Sequence, residues 1–511
     1  MLHSAPASEK SARHTGRRRA LATQPLDIHM IAIGGTGMAP LACLLQEQGH
    51  KVRGSDGPLY PPMSTLLARA GIVPRTGYDA ANLEPPPDLV VVGNAVRRDN
   101  PEAVAAERLG LPLLSMPQAL ARFCLAGRLP LVVTGTHGKT TTTAMAAWVY
   151  SQCGADPGYL IGGAPRDLAA GFAAGHGRRF IVEGDEYNAA YFDRGAKFLH
   201  YRPETLILTS AEYDHADLYP NVAALREAYR QVIALLPPDG LLIACGDAPE
   251  VRELARQAPC PTVFYGLGEE NDVHPAAGWE ALPEATRFRV EARGPGTPAG
   301  NGMDGIEIEL PLAGAHNLVN ALAVVAAARR DGLPARAVAA ALAGFHGVKR
   351  RLEELGRPRD VVVVDDFAHH PTAVAKTLAA LRQRYPGRRL VAIFEPRSLT
   401  AGRAMFFTAY REAFAAADRV LIAPTFYSAR LSPEERLDFA ALAADLTAGG
   451  IPAACAADDD DLLDRAVAAS RPGDVLVTMS SGSFGGLPQK LVAALAAADP
   501  PAAATAATGA V

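Results

Sequence analysis

The chain has 511 residues, 49% of them hydrophobic and 20% charged, with a formal net charge of −4 at pH 7. At roughly 100 to 200 residues per domain that length predicts about three domains, and the slightly acidic balance gives no reason to expect nucleic acid or an anionic membrane as partner. Six scattered cysteines (Cys43, Cys124, Cys153, Cys245, Cys260, Cys455) with no Cys-x-x-Cys pair argue against a zinc knuckle or disulfide framework and fit a reducing cytoplasm.

Residues 1–26 carry Arg17-Arg18-Arg19, but no apolar stretch of signal length follows, and no later segment stays uncharged long enough to span a bilayer. The extension is expected to be a flexible tail. An apolar run over 30–33 then enters Gly34-Gly35-Thr36-Gly37 and a helical pattern over 39–48, with Asp56 closing a second strand. This resembles the start of a dinucleotide-binding unit, but Pro40 takes the third glycine position of G-x-G-x-x-G. That weakens a nicotinamide-cofactor reading while leaving a turn suited to phosphate or ribose, or simply to close packing.

The next motif is the most specific. The apolar run 131–133 leads into Thr134-Gly135-Thr136-His137-Gly138-Lys139-Thr140-Thr141 and a helix-compatible stretch to residue 152. Backbone amides and the positive helix end suit nucleotide phosphates, Lys139 suits the terminal ones, and the Thr140 hydroxyl suits Mg²⁺. The first glycine stands three residues before the second instead of five, a shortened loop.

Further on, the strand-like 180–182 ends in Glu183, followed by Gly184-Asp185-Glu186-Tyr187. A carboxylate at a strand end beside a phosphate loop is where Mg²⁺ needs a second ligand, and Asp185 and Glu186 compete with Glu183 for that place. The strand 205–209 leads to Glu212-Tyr213-Asp214-His215-Ala216-Asp217, where His215 is either a metal ligand or a solvated loop histidine. The Gly- and Pro-rich stretch 266–305 predicts loops with a small excursion of strands. His316-Asn317-Leu318-Val319-Asn320 opens a long apolar helix; its Asn residues suit an adenine edge or a helix cap. Lys349-Arg350-Arg351 precedes 361–364 and Asp365-Asp366-Phe367-Ala368-His369-His370-Pro371, a pairing able to hold a triphosphate and a ribose, or plain surface charge. The Ala/Pro-rich end, 496–511, is expected to be disordered. Strand-like runs alternate with Ala/Leu-rich helices throughout, so the fold class is α/β with mainly parallel sheets. Breaks fall near 126–128 and 344–347.

Taken in order, the Gly34–Met38 turn, the 135–140 loop, Glu183, Asp214-His215, Asn317 with Asn320, Arg351 and Asp366 before His369-His370-Pro371 resemble the Mur ligase family. The resemblance runs from His29 to about residue 495. It implies a Rossmann-like UDP-binding domain (27–127), a central ATP-binding P-loop domain (128–346) and a C-terminal Rossmann-like peptide-binding domain (347–495). It also implies a cytoplasmic bacterial ligase with Mg²⁺ as cofactor and ATP as co-substrate. The implied roles put Gly135, Thr136, His137, Gly138, Lys139, Thr140 and Thr141 on the phosphates, Asn317 and Asn320 at adenine, Arg351 on the phosphates and Asp366 on the ribose. Thr140 and Glu183 would hold one Mg²⁺ and His215 a second, while Gly35, Thr36, Gly37, Met38, Ser55 and Asp56 would face the UDP-sugar.

The strings Glu183–Asp193, 197–203, 214–217, Glu395-Pro396-Arg397-Ser398 and Phe484-Gly485-Gly486, with the early 60–66, resemble one branch of the family. That branch joins the tripeptide L-alanyl-γ-D-glutamyl-meso-diaminopimelate to UDP-N-acetylmuramate through an acyl phosphate in peptidoglycan recycling. Arg397 and Ser398 are then candidates for peptide binding. The rival within the family is the L-alanine-adding branch of wall synthesis. A rival from another class is a nucleotide-gated binding or transport ATPase, which leaves the UDP-type first domain unexplained. Several family members support the second metal with a carbamylated lysine after the histidine, yet 216–250 contains none; Glu212, Asp214, Asp217 or water would complete the site.

Overall fold

A computed structural model describes residues 24–293, 302–425 and 430–497. The expected tail 496–511 beyond residue 497, most of the N-terminal extension and residues 294–301 lie outside the described residues.

Three α/β units follow one another along the chain. The first is built on a parallel five-stranded sheet in the order Arg75–Thr76, Lys51–Asp56, Asp27–Ile31, Leu89–Val92, Leu113–Ser115. Leu89–Val92 is buried at every residue, which is why it reads as an unbroken apolar run and not an alternating one. The first strand stops at Ile31 because Ala32 turns to positive φ, and the amides of Ala32 and Ile33 both donate to the Ser55 carbonyl.

Behind this sheet lies a buried polar network. Glu102, fully buried on the helix Pro101–Arg108, accepts from Ser55 Oγ (2.6 Å) and Asn82 Nδ2 (2.5 Å) and faces His29 Nε2 at 2.9 Å. Burial alone would raise its pKa, but His29, Ser55 and Asn82 outweigh it and the carboxyl is held below its usual range. Glu102→Ala strands three buried polar groups, so a loss of about 3 kcal/mol is expected in urea denaturation.

The central unit carries an eleven-stranded sheet. At its heart Leu129–Thr134 lies parallel between Thr205–Leu208 and Arg179–Glu183, with Val133 opposite Glu183 and Thr134 opposite Leu208. The C-terminal ends of three strands therefore meet, and a glycine loop leaves from the middle one. Such a crevice is where open parallel sheets bind ligands. The stretch 266–305 supplies strands Val273–Pro275, Glu280–Ala281 and Thr286–Ala292, which with Glu307–Leu310 extend the far edge antiparallel. Helices Lys139–Gln152 and Ala315–Arg330 are buried along most of their length and share one core, the first with Thr140 to Thr143 among its buried residues.

The third unit is a six-stranded sheet in the order Glu353–Gly356, Val362–Asp366, Val475–Met479, Leu390–Phe394, Arg419–Ile422, Ala453–Cys455, parallel except for the first strand. It docks on the central unit where Ala216 N donates to Thr400 Oγ1 (3.1 Å), Lys349 N to the Ala164 carbonyl (2.9 Å) and Thr372 Oγ1 to Glu212 Oε2. The first unit is met by the hairpin Asn188–Ala190/Asp193–Ala196, flanked by Tyr191 OH on Glu107 (2.7 Å) and Gln118 Nε2 on Asp193 (3.3 Å). Among the described residues no helix is long and apolar enough to cross a membrane, and all six cysteines are unpaired.

Candidate active site

The glycine loop takes its shape from backbone that only glycine tolerates. Gly138 caps the Lys139–Gln152 helix at φ +83°, and a Cβ there would stand 2.8 Å from Asn320 Oδ1. Thr136 N and His137 N donate to Ser210. The helix ladder begins with Thr142 N on the Gly138 carbonyl (2.9 Å), so the amides of Lys139 to Thr141 precede it and point out of the helix start. That is an anion cradle at a helix N-terminus.

Each of the three acids after the Arg179–Glu183 strand has a different partner. Glu183 Oε1 accepts from Thr140 Oγ1 at 2.8 Å, and its Oε2 from Gly162 N at 2.8 Å. Burial, only partly offset by Lys139, Thr140 and Gly162, raises the Glu183 pKa. Asp185 pairs with Lys197 at 2.9 Å. Glu186, 1% exposed, receives Lys139 Nζ at 3.0 and 2.9 Å and Tyr229 OH at 2.7 Å. Burial opposes the Lys139 charge, but Glu186 and Asp185 outweigh it and the pKa is raised. Of the three, Glu183 alone touches the Thr140 hydroxyl.

His215 sits at φ +54°, its ring edge-on to Tyr187 with centroids 4.5 Å apart, and its Nε2 lies 3.7 Å from Glu186 Oε2. Two of the carboxylates expected around it have other histidine partners. Asp214 faces His369 at 3.6 Å and Glu212 faces His137 and His370. Burial would raise the Asp214 pKa, yet His369 and His215 hold it well below its usual range. Arg230, on the helix that lacks the lysine, turns to Glu227 at 3.3 Å, while Tyr229 on the same helix reaches Glu186.

Other expected residues are brought to the same crevice in different ways. Asn320 packs over Gly138; Asn317, one turn inside its helix, is no cap and donates to the Ala313 carbonyl (2.8 Å). Arg350 is engaged by Asp365 (3.2 Å) and the Ser480 carbonyl (2.9 Å). Arg351 forms no ion pair among the described residues, and its guanidinium lies over the Phe367 ring at 4.7 Å; burial lowers its pKa despite Asp366 and Glu183 nearby. Asp366 is 5% exposed and accepts from Leu352 N (2.7 Å), Ala368 N (2.8 Å) and Thr377 Oγ1 (3.0 Å), holding its own loop.

In the first unit Asp56 Oδ2 accepts Gly34 N (2.7 Å) and its Oδ1 accepts Tyr78 OH (3.0 Å), which pins the Gly34–Gly37 turn. The Ser55 hydroxyl points to Glu102, and the Met38 side chain is buried, so both support that turn from within. In the third unit, Glu395 is 7% exposed, meets Arg397 Nη1 at 3.2 Å and accepts the Ser480 hydroxyl, while Ser398 Oγ accepts Ala401 N at 3.0 Å. A Cβ on Gly482 would stand 2.1 Å from Arg397 Nε, so this glycine makes room for the arginine.

Sequence reasoning left the Glu212–Thr372 junction unseen, because its partners lie 160 positions apart in the chain. Burial works against the Glu212 charge, but His137, Thr372 and His370 bring its pKa down to about 2. A depressed carboxyl stabilises the fold above its unfolded value, near 4.5, and that stability is lost as pH falls toward about 2. Glu212→Gln is therefore expected to lower thermal stability at neutral pH and to flatten its fall below about pH 4.5, variant and parent converging as pH nears 2.

Comparison with known proteins matches this architecture piece by piece. Residues 27–128 match the Mur ligase family catalytic domain, 133–328 the Mur ligase middle domain, and 350–482 the Mur ligase glutamate ligase domain. The chain is 40% identical over 474 residues to the Escherichia coli K12 UDP-N-acetylmuramate–L-alanyl-γ-D-glutamyl-meso-2,6-diaminoheptandioate ligase, covering 92% of this chain and 98% of that one. It is 35% identical to the Variovorax paradoxus UDP-N-acetylmuramate–L-alanine ligase, covering 93% and 96%. The crystal structure of a murein peptide ligase from Psychrobacter arcticus superposes with a TM-score of 0.68 at 33% identity, covering 93% of this chain and all of that one. With three domain models matched in order and relatives aligned over nearly its whole length, the chain belongs to the Mur ligase family.

Proposed function

We propose that this protein joins the tripeptide L-alanyl-γ-D-glutamyl-meso-diaminopimelate to UDP-N-acetylmuramate at the expense of ATP, as a cytoplasmic enzyme of peptidoglycan recycling. The observation that carries the reading is the convergence of Lys139, Thr140 and Glu183 with Arg351 from the third unit at one crevice. A carboxylate is a poor electrophile toward an amine, so the chain must first turn it into an acyl phosphate. The sugar's lactyl carboxylate attacks the γ-phosphorus, ADP leaves, and the peptide amine then displaces phosphate. Lys139 and the first helix amides hold the phosphates, and Arg351 offsets the repulsion between carboxylate and triphosphate.

The Thr140 and Glu183 oxygens suit Mg²⁺: a hard oxygen pair 2.8 Å apart, one of them a buried carboxylate whose charge a cation would favour. Bound there, Mg²⁺ would supply charge neutralisation for the nucleotide phosphates. Asn317 and Asn320 lie toward the adenine, and Asp366 meets the ribose with the acceptor capacity its three internal bonds leave. The Gly34–Gly37 turn, with Asp56 behind it, receives the UDP end. A second Mg²⁺ at His215 would find Glu186 Oε2 3.7 Å from the imidazole, in place of the missing lysine.

Specificity rests on the third unit, where Glu395-Pro396-Arg397-Ser398 meets Ser480 and Gly482. Arg397 offers a guanidinium for a peptide carboxylate, a group that lies in a different place on free L-alanine. The test is phosphate release with components omitted one at a time. A ligase of this kind releases phosphate in sustained turnover only with both UDP-N-acetylmuramate and the tripeptide present; steady release from ATP alone contradicts the reading and favours a nucleotide-gated ATPase.

A further inference from the structure

His137 of the glycine loop, Glu212 beyond the Thr205–Leu208 strand and His370 at the start of the Pro371–Arg384 helix converge at the seam between the central and third units. Each offers one donor atom, all within 4.8 Å of one another. Glu212 Oε2 lies 3.6 Å from His137 Nε2 and 3.7 Å from His370 Nδ1, too long for hydrogen bonds. Donor atoms on one tetrahedral ion with bonds of about 2.0–2.1 Å stand about 3.3 Å apart, so the two Glu212 separations exceed that spacing by a few tenths of an ångström and no pair of donors, all within 4.8 Å, exceeds it by more than about 1.5 Å.

Two imidazole nitrogens are also left wanting. His370 is 5% exposed; its Nδ1, the nitrogen facing Glu212, accepts Thr372 N at 3.3 Å, its Nε2 is unpartnered, and His137 Nε2 is buried without a hydrogen bond. Burial and His137 lower the His370 pKa to about 4, which keeps its imidazole in the neutral, ligating form. Thr372 Oγ1 donates to Glu212 Oε2, orienting the carboxylate from behind. The Phe406 ring, 5.1 Å from the His370 ring centroid, walls one side.

We propose that His137, Glu212 and His370 form a binding site for a borderline-soft divalent cation such as Zn²⁺ or Co²⁺, which clamps the third unit onto the phosphate-loop unit. Two imidazoles and a single carboxylate suit such an ion and not Mg²⁺, which takes oxygen donors. Its three residues are none of those proposed for Mg²⁺, namely Thr140, Glu183 and His215. Because its ligands come from both units, the ion stabilises the docked arrangement by the affinity it gains there.

The test is a Co²⁺ titration of the full chain, without nucleotide and in excess Mg²⁺, followed by visible absorption. Expected is saturation at one equivalent, with the intense bands of four-coordinate Co²⁺ displaced by Zn²⁺. Glu212→Gln and His370→Gln, each checked for retained far-ultraviolet circular dichroism, should weaken Co²⁺ at least tenfold, while His215→Ala keeps it. Binding that survives both substitutions, binding lost only with His215→Ala, or no saturable binding overturns the proposal.

Discussion

Lys139→Ala is expected to lower ligation by about 10²–10³-fold or more, the cost of removing a positioned charge from a phosphoryl-transfer site. The structure adds a second consequence. Lys139 is the cation on Glu186, a carboxylate 1% exposed, so its removal leaves a buried charge uncompensated and destabilises the fold by about 3 kcal/mol. The two effects separate in a double variant. Lys139→Met with Glu186→Gln should recover most of the stability in urea denaturation and none of the activity in an ADP-release assay. If the double variant recovers ligation as well, Lys139 acts only through the fold.

Glu183→Ala should lower ligation by about 10²-fold or more and shift the Mg²⁺ concentration needed for half-maximal rate upward, because Thr140 alone then remains of the oxygen pair. Stability should move the other way. Burial makes the Glu183 charge costly, so its removal is expected to be neutral or slightly stabilising near pH 7. Gly162→Ala probes the same carboxylate from outside, since a Cβ there would stand 2.7 Å from Glu183 Oε2; it should reproduce part of the Mg²⁺ shift. An unchanged Mg²⁺ titration in Glu183→Ala would remove Glu183 from the metal site.

The parts legible in the sequence are those in which one segment carries its own constraint. The unbroken apolar run of Leu129–Thr134, the glycines that follow and the helix from Lys139 are local, so strand, turn and helix fall where periodicity and φ restrictions put them. Glu183 was legible too, because a strand's last residue is fixed in height relative to its neighbour. The pairing of Glu186 with Lys139, of Asp185 with Lys197 and of Arg350 with Asp365 was not. Three acids or three basic residues in a row look alike in sequence, and side-chain direction and neighbouring strands decide which faces the crevice. The resemblance singles out Arg351, but nothing in Lys349-Arg350-Arg351 by itself shows that Arg350 is committed to Asp365. Asp366 shows the same limit, since its three internal donors come from a loop, a turn and a helix.

The missing lysine after His215 is likewise a tertiary question. The helix Val222–Ala234 turns Tyr229 inward and Arg230 outward, and Glu186, from a different strand end, lies 3.7 Å from His215 Nε2. His215→Ala therefore bears on Glu186 as well as on a metal.

On the proposed function, selection of a peptide over a free amino acid falls to the third unit. It is tested most directly by one ADP-release assay in which L-alanine and L-alanyl-γ-D-glutamyl-meso-diaminopimelate compete as acceptors for UDP-N-acetylmuramate. The tripeptide should be preferred by at least about tenfold in kcat/KM, a difference of about 1.4 kcal/mol, and Arg397→Ala should erase most of that preference. A preference for L-alanine would contradict the account and place the chain with the L-alanine-adding ligases.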